Sequence, residues 1–348
     1  MEGYKSSLPV VGVDLMAETM FGIETELVRL NAPVYNRLKE VFGEKREPAA
    51  VYGLLSEFLL VEGKGIRPAL CLLSCEAVGG KIDDALKAAT TIEMFHNFTL
   101  IHDDIEDCSE MRRGKPCMHV KYGVPLALNA GDGLFMMVWR EALSIQSHRK
   151  EDAQERLLCA FTGVLEGQAI ELGWYKDDVW DISEKEYLKM VGGKTGALIA
   201  VSCEVGALLG GADEKTCKAM SRFGAGIGVS FQIIDDVLNI IGDEKKYRKE
   251  IGGDIREGKR TLITMWALRM LSGVKRTRLK MLLKKKNKSG EDVDETLLLL
   301  RESGALKKAL NYAKRVVDSS LLELECLPNS ETKHNLARLA TYITKRER

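Results

Sequence analysis

Proline and an excess of charge of one sign are both scarce in this sequence. Only seven of its 348 residues are proline, and none lies between Pro125 and Pro328. Because proline interrupts helices, its absence from so long a stretch permits long helices. The 51 basic residues are balanced by 51 acidic ones, so the formal net charge is zero. This balance excludes a general attraction to nucleic acid or acidic membranes, and an anionic ligand must instead be held by local clusters.

Long uncharged apolar runs and paired cysteine motifs are also missing. No window reaches the roughly 18 uncharged apolar residues of a membrane span, and the first apolar stretch contains acidic residues, unlike a signal peptide. The eight cysteines include no C-x-x-C pair. Reduced thiols are therefore favoured over a disulfide framework or a zinc site. We expect a cytoplasmic protein with no membrane span.

Leu, Ala, Met, Lys and Glu fill the long proline-free stretch at helical spacing, and alternating strand patterns are scarce. Glycine pairs mark helix ends or breaks. The sequence therefore predicts an all-α protein, with residues 1–348 forming one helical bundle and its chemistry on inward-facing side chains. The predicted helices cover residues 92–107, 132–145, 151–172, 184–210, 214–241, 259–271 and 294–322.

The most informative stretch holds three aspartates at the end of an apolar helical run. Asp103 and Asp107 are four residues apart and share one helix face, with Asp104 about 100° around the axis. Carboxylates stacked in this way repel one another and are costly where solvation is poor, unless a cation joins them. Hard carboxylate oxygens without a soft ligand favour Mg²⁺, which commonly bridges to phosphates.

A second acidic set follows more than a hundred residues later. Asp235, Asp236 and Asn239 repeat the same spacing with an amide in the last position. One such motif alone is usually a solvated helix end, whereas two in otherwise apolar helices indicate a shared site. Carboxylates that face each other across a bundle cavity would hold several Mg²⁺ ions around one polyanion.

Basic residues lie beside both acidic sets. Lys64 and Arg67 occupy a glycine turn that leads into a helix, where an anion can be bound. Arg112 and Arg113 follow the first set, and a guanidinium suits diphosphate oxygens. Further lysines are Lys194, in a glycine-interrupted helix, and Lys249 and Lys259, after the second set. Acids and bases together indicate a metal-bound diphosphate.

With both motifs in place, the sequence resembles the trans-isoprenyl diphosphate synthases of the polyprenyl synthetase family over about residues 63–264. The two aspartate-rich motifs of that family match Asp103, Asp104 and Asp107, and Asp235 and Asp236. Further family positions match Lys64, Arg67, His96, Arg112, Arg113, Lys194, Thr195, Gln232, Lys249 and Lys259. Asn239 and Glu171 stand where many members have aspartate. The resemblance implies a helical bundle of the isoprenoid synthase type around a central cavity, three Mg²⁺ ions and a homodimer.

The resemblance also implies the reaction, in which isopentenyl diphosphate joins head to tail with an allylic diphosphate (dimethylallyl, geranyl or farnesyl). The metal ligands would be Asp103, Asp104, Asp107, Asp235, Asp236 and Asn239. The residues expected to act in catalysis are Asp103, Asp104, Asp107, Arg112, Lys194, Asp235 and Lys259. Those expected to bind substrate are Lys64, Arg67, His96, Arg112, Arg113, Lys194, Thr195, Gln232, Lys249 and Lys259.

Product length should depend on the side chains below the first motif. Phe98 and Thr99 lie about one turn before Asp103, and Phe95 lies a further turn below. In the family, an aromatic residue here accompanies short products, which predicts the twenty-carbon geranylgeranyl diphosphate; ordinary core packing of both phenylalanines is the alternative. Three other functions stay open: synthesis of a longer product of twenty-five or more carbons, terpene cyclisation, and a non-catalytic synthase subunit.

Overall fold

The computed structural model describes residues 11–43, 47–61, 63–242 and 251–344. Sixteen α-helices run through these ranges, joined mostly by short turns. The first eight are α1 (Val11–Phe42), α2 (Ala49–Leu59), α3 (Ile66–Ala77), α4 (Ile82–Glu106), α5 (Met118–Tyr122), α6 (Val124–Leu143), α7 (Lys150–Lys176) and α8 (Glu184–Val191). The others are α9 (Ala197–Leu209), α10 (Glu214–Ile241), α11 (Gly253–Glu257), α12 (Leu262–Met270), α13 (Gly273–Lys284), α14 (Gly290–Glu302), α15 (Ala305–Leu322) and α16 (Glu331–Thr344).

Three short elements complete the part of the chain that the structure describes. A two-stranded antiparallel hairpin, β1 (Met111–Arg112) and β2 (Lys115–Pro116), follows α4 and is the only sheet in the described ranges. A π-helical turn at Gly192–Gly196, called here the π turn, separates α8 from α9. A 3-10 turn at Glu323–Cys326 follows α15. The all-α prediction is confirmed.

Two hydrophobic clusters form the interior. The first joins α1–α4, α6, α7, α9 and the chain end, and the second joins α8 with α12–α15. Helix α10 belongs to both, because Phe223 and Ile227 pack in the first cluster while Ile233 and Val237 pack in the second. The acidic residues of α10 lie in the half that enters the second cluster. Treating the chain as one domain stays a prediction.

The predicted helix at 214–241 is confirmed. Asp213 caps its start, since the carboxylate accepts a hydrogen bond of 2.8 Å from the Thr216 N–H, and Gly242 ends it. The single helix predicted over 294–322 is wrong. The helix is interrupted at Gly304, whose φ of 78° lies in the left-handed region, through which an α-helix cannot continue. Likewise, Lys259 precedes α12 in a loop and does not begin that helix.

Within the described ranges, two helical stretches are long and apolar enough to cross a membrane by length and composition alone. They are Glu184–Leu209 and Glu214–Ile241, with 67% and 50% of the most apolar window buried inside the bundle. Both supply side chains to the two hydrophobic clusters. The core helices of a bundle have this composition because they are apolar nearly all round.

Candidate active site

The first acidic motif occupies the last turns of α4. Burial raises the pKa of Asp103 to about 6, opposed by the positive charge of Lys194. Burial also raises the pKa of Asp107, opposed by Lys259 and Lys194. Both carboxylates thus lie where their own negative charge is unfavourable and where two lysines approach them. The arrangement favours an added cation between them.

The second aspartate of this motif points into the protein. Asp104 is 1% exposed, and its Oδ1 accepts hydrogen bonds from both Nε and Nη2 of Arg112. Arg112 stands on β1, so the hairpin carries the guanidinium back to the helix end. This geometry differs from the expectation that three carboxylates lean toward one point. Asp104 holds Arg112, whereas Asp103 and Asp107 lie within electrostatic reach of Lys194.

The second acidic motif is built into a hydrogen-bonded group on α10. Asp236 is buried, and its two oxygens accept from the Tyr187 hydroxyl (2.9 Å) and the Gln232 amide (2.9 Å). The Thr195 hydroxyl in turn donates to Oε1 of Gln232 at 3.0 Å. Burial, together with the nearby carboxylate of Asp254, raises the pKa of Asp236. Tyr187 and Gln232 therefore bind this carboxylate directly, and Thr195 holds Gln232, so three residues from three elements fix it.

Asn239, one turn further along α10, is also buried. Its Oδ1 accepts a hydrogen bond of 3.1 Å from the Asp254 N–H at the start of α11, and its backbone carbonyl accepts from Gly252 at 2.8 Å. These bonds tie α11 to the end of α10. The side-chain oxygen that was expected to bind metal thus supports the loop that carries Lys259.

The π turn places Lys194 against α7. Gly167 of α7 lies directly on the backbone of Gly193 and Lys194, where a Cβ would have no room. Lys194 Nζ contacts Oε2 of Glu171 at 2.5 Å, and the Tyr175 hydroxyl donates to the other oxygen of Glu171 at 3.2 Å. Glu171 is 8% exposed. Although burial opposes it, the charges of Glu171 and Asp103 raise the pKa of Lys194.

Lys259 lies in a short loop between α11 and α12. Its Nζ is 2.9 Å from Asp254 Oδ1 and 2.9 Å from Glu257 Oε2. Those acids raise the pKa of Lys259 against the effect of its burial. The ammonium is therefore charged. Because it also lowers the pKa of Asp107, Lys259 lies within electrostatic reach of the first motif.

A third group gathers around His96 in the middle of α4. Arg67 Nη1 lies 3.1 Å from His96 Nε2. Burial, followed by the positive charges of Arg67, Arg113 and Arg112, lowers the pKa of His96 well below its usual range, so the ring is neutral and its Nε2 accepts. Arg113 Nη1 donates to the Val61 carbonyl at 2.8 Å, beside the glycine turn that holds the exposed Lys64.

The predicted basic residues thus lie beside two of these three groups, the first acidic motif and the group around His96. Lys194 and Lys259 lie near Asp103 and Asp107, while Arg67 and Arg113 lie near His96; Arg112 is within electrostatic reach of both groups. Lys249 lies outside the described residues.

An aromatic cluster lies below the first motif. Phe95 stacks on Phe161 with centroids 3.7 Å apart, and the Phe98 ring lies 5.4 Å from Phe95 and 5.0 Å from Phe135. Trp139 packs edge-on against Phe161. Phe98 is 7% exposed, whereas Thr99 is half-buried with its hydroxyl bonded to the His96 carbonyl. The rings form a rigid apolar wall one turn below Asp103.

The donor set fits a hard divalent cation. Asp103 and Asp107 carry raised pKa values that a cation would lower, and Oδ2 of Asp104 is buried with no hydrogen-bond partner in the part of the chain that the structure describes. Among the described residues, no three His, Cys, Asp or Glu side chains come close enough to enclose a metal by themselves. An ion here would need further oxygen ligands, as Mg²⁺ takes from water and phosphate.

Several residues that hold the site side chains in place are not among those predicted from the sequence. Tyr187 bonds Asp236, Tyr175 bonds Glu171, and the buried Glu93 lies near Arg67 and Arg113. Tyr187 and Glu93 lie on other elements than the residues they contact or approach, so no local spacing marks them, whereas Tyr175 follows Glu171 by four residues on α7, a spacing at which helical side chains meet. The three aromatic residues of 174–180 are a further signal, because large rings in a charged stretch need a partner.

The sequence and the fold of this chain both match known proteins. Residues 48–300 match the family model described as polyprenyl synthetase. A short chain isoprenyl diphosphate synthase of Methanothermobacter thermautotrophicus is 38% identical over 84% of this chain and 89% of its own length. The structure of a geranylgeranyl pyrophosphate synthetase from Pyrococcus horikoshii superposes with a TM-score of 0.87 at 34% identity, covering 95% of this chain and 99% of the other.

A polyprenyl synthase of Caulobacter crescentus, solved in complex with calcium and isoprenyl diphosphate, is a more distant neighbour. Its TM-score is 0.81 at 27% identity, with 97% of each chain covered. That structure contains calcium and isoprenyl diphosphate.

Proposed function

The chain belongs to the polyprenyl synthetase family and is a prenyltransferase, and from this premise we propose that it joins isopentenyl diphosphate head to tail to an allylic diphosphate, with geranylgeranyl diphosphate as the product. The observation that carries the proposal is that Lys194 and Lys259 lie within electrostatic reach of Asp103 and Asp107. These aspartates are at the end of α4, and the Phe95 and Phe98 rings lie below them on the same helix. Cations and carboxylates at one end and apolar rings at the other match an amphiphilic diphosphate.

The charged groups beside the first motif would bind the allylic diphosphate. Arg112, Lys194 and Lys259 are the cations here, and each is held by a carboxylate: Asp104, Glu171 and Asp254. Negative charge grows on the diphosphate as its C–O bond ionises, so fixed cations stabilise the transition state more than the ground state. Their preorganisation means that little reorientation is needed during the reaction.

The polyprenyl synthetase family is generally dependent on divalent metal ions. We propose Mg²⁺, with three ions held by Asp103, Asp107 and Asp235; Asp104, Asp236 and Asn239 complete the set predicted from the sequence. Bound there, Mg²⁺ would neutralise the diphosphate oxygens and so favour their departure. The hydrogen bonds to Asp236 and Asn239 favour roles for these two in orienting neighbouring ligands.

The group around His96 would hold isopentenyl diphosphate. Lys64, Arg67 and Arg113 supply positive charge, and neutral His96 supplies a ring N–H once Nε2 accepts from Arg67. Holding the double bond against the allylic cation turns a bimolecular encounter into a positioned one, which accounts for much of the catalysis.

The side-chain oxygens of Thr195 and Gln232 would face the cation. The Thr195 hydroxyl hydrogen is used in the bond to Gln232, which leaves oxygen lone pairs available. After the new C–C bond forms, a proton must leave the adjacent carbon, and the released diphosphate is the nearest strong base. No protein base is needed, and apolar walls keep out water that would quench the cation.

The position of Phe98 supports a product of twenty carbons. Its buried ring packs against Phe95 and Phe135 below Asp103, so a growing tail would meet this wall. A product of twenty-five or more carbons is the second candidate, which would require the tail to pass the rings.

We propose that the protein is a homodimer and acts in the cytoplasm without spanning a membrane. Helices α6 and α7 expose large apolar side chains: Leu128 (44%), Met136 (61%), Leu143 (60%), Leu158 (51%) and Leu165 (46%). The helices meet through the Trp139 and Phe161 rings. A groove of about 450 Å³ runs beside Met136, between α2 and α6. A second copy would cover this apolar surface.

Incubation with Mg²⁺, isopentenyl diphosphate and each allylic primer in turn tests the proposal. We expect release of inorganic diphosphate and a twenty-carbon product on chromatography after phosphatase treatment. Release of diphosphate with no consumption of isopentenyl diphosphate would indicate a cyclase, and no release with any primer would defeat the proposed reaction.

A further inference from the structure

Arg260, the residue after Lys259, lies in an aromatic cage at the end of α7. Its guanidinium carbon is 4.6 Å from the Tyr175 ring centre and 4.3 Å from that of Trp180. The side chain is 7% exposed. Its three nitrogens donate to the carbonyls of Val179 (3.2 Å), Trp174 (3.3 Å) and Gly258 (2.7 Å).

The cage holds this cation almost without an anion. Among the described residues, the nearest carboxylate oxygen is on Asp178, 3.6 Å away, and that side chain is 57% exposed. Burial accordingly lowers the pKa of Arg260. Ring faces and carbonyl dipoles must therefore carry the stabilisation, and both depend on orientation. A planar guanidinium that donates in three directions fits only one placement of the loop.

The cage connects two parts of the chain that each carry a proposed catalytic lysine. Two of its carbonyls lie at the α7 end, and the third, Gly258, lies on the loop beside Lys259. Tyr175 belongs to both sides, because its ring faces Arg260 while its hydroxyl donates to Glu171, the partner of Lys194. One tyrosine thus contacts the supports of both lysines.

We propose that Tyr175, Trp180 and Arg260 are positioning residues that set Lys194 and Lys259 at a fixed spacing across the diphosphate of the allylic substrate. The inference rests on the proposed function. The device acts through the end of α7, so that displacing Arg260 moves the Lys259 loop while leaving the isopentenyl diphosphate group around His96 in place.

Steady-state kinetics on Arg260→Leu tests the device. We expect kcat to fall about 100-fold, the size typical of a misplaced catalytic group, with the KM for isopentenyl diphosphate unchanged within about twofold. Arg260→Lys should recover only part of the loss, since an ammonium lacks the planar fork. Trp180→Leu keeps the arginine and should lower kcat roughly tenfold by removing one ring.

The shared tyrosine is tested by a double-mutant cycle. Tyr175→Phe keeps the ring against Arg260 and removes only the bond to Glu171, so it should be milder than Tyr175→Leu. The double variant Tyr175→Leu with Arg260→Leu should be no slower than the slower of the two single variants, because both break the same unit. Fully multiplicative losses would show independent roles and overturn the coupling.

Arg315→Leu is the matched control. It removes an exposed guanidinium from the Tyr312 ring, 5.8 Å away on α15, and should leave kcat and both KM values unchanged. Thermal melting identifies any variant that fails to fold, and Trp180→Leu then serves as the test. Wild-type kcat in a folded Arg260→Leu, or equal losses in Arg315→Leu, would overturn the inference.

The same variants separate this inference from the proposed function. A wild type without turnover would defeat the proposed function, whereas an active wild type with unaffected cage variants defeats only the inference. Calorimetric titration with inorganic diphosphate and Mg²⁺ provides a readout without turnover. We expect weaker diphosphate binding in Arg260→Leu than in Arg315→Leu, and equal affinities would contradict the positioning role.

Discussion

Arg112 donates two hydrogen bonds to a single oxygen of the buried Asp104, bringing together the end of α4 and the hairpin that follows it. Asp104 is 1% exposed, whereas the Arg112 side chain is 31% exposed, so the pair is only partly open to water. Neighbouring aspartates of one motif therefore have different environments, and their replacement should have different consequences.

Asp104→Ala should destabilise the fold and slow turnover together. The substitution leaves Arg112 without its anion, which costs about 2 kcal/mol once the partial exposure of Arg112 is taken into account. Urea unfolding measures the loss. Asp103→Ala is the comparison: it removes a carboxylate whose pKa is raised by burial, so stability should hold while turnover falls by orders of magnitude. Equal stability losses in both variants would contradict this distinction.

Phe98→Ala should lengthen the product. Removing the ring opens the wall one turn below Asp103, and chromatography should show products beyond twenty carbons. A buried Phe→Ala change costs roughly 3 kcal/mol or more in stability. Phe223→Ala, in the core on α10, provides the control with a similar packing loss and no change in product. Unchanged chain length in Phe98→Ala would remove Phe98 from this role.

The melting temperature of Glu93→Gln relative to that of the wild type should increase as the pH rises. Glu93 is 3% exposed, and burial raises the pKa of its carboxyl above the ordinary value of 4.5. An acid with a raised pKa favours folding while it is protonated, so its contribution is lost as the pH rises through the folded pKa. Glutamine keeps the acceptor for Asn97. Melting temperatures at pH 5 and pH 8 should show the variant gaining on the wild type.

Glu141→Gln gives the opposite case for buried glutamates. Glu141 is 5% exposed and receives two hydrogen bonds from Arg37, at 2.9 and 3.1 Å. Removing its charge breaks an ion pair and should destabilise the protein at pH 8. If Glu93→Gln also lowers the melting temperature at pH 8, the arginines near Glu93 outweigh its desolvation, and the prediction is wrong.

Met136→Glu combined with Leu165→Glu should yield monomers in sedimentation equilibrium. Both side chains are about half exposed or more in the single chain, so the glutamates are tolerated there but would be desolvated in a dimer. Val274→Glu, on a side chain 85% exposed on α13, is the control and should stay dimeric. A dimeric double variant would place the interface elsewhere.

The sequence was sufficient to predict what depends on local spacing. Helix α10 matches its predicted range because Asp213 and Gly242 are strong start and stop signals. The interruption of the helix at Gly304 could not be predicted from spacing, because apolar residues continue at helical spacing across it. The direction of the Asp104 side chain in the first acidic motif also could not be predicted from local spacing. Asp104 turns inward because it binds Arg112, which lies eight residues later on a hairpin that the sequence did not predict. Cage residues such as Tyr175 and Arg260 are 85 positions apart and only the fold joins them.

The π turn also determines which way two side chains point. Tyr187 and Thr195 are eight residues apart, so in an unbroken α-helix, at about 100° per residue, their directions would differ by about 80°. A π-helical turn takes more residues per revolution and therefore advances each by a smaller angle. The wide turn reduces this angular mismatch, so that Tyr187 reaches Asp236 while Thr195 reaches Gln232, one turn earlier on the same helix. Deleting one glycine from the turn would put these side chains out of phase.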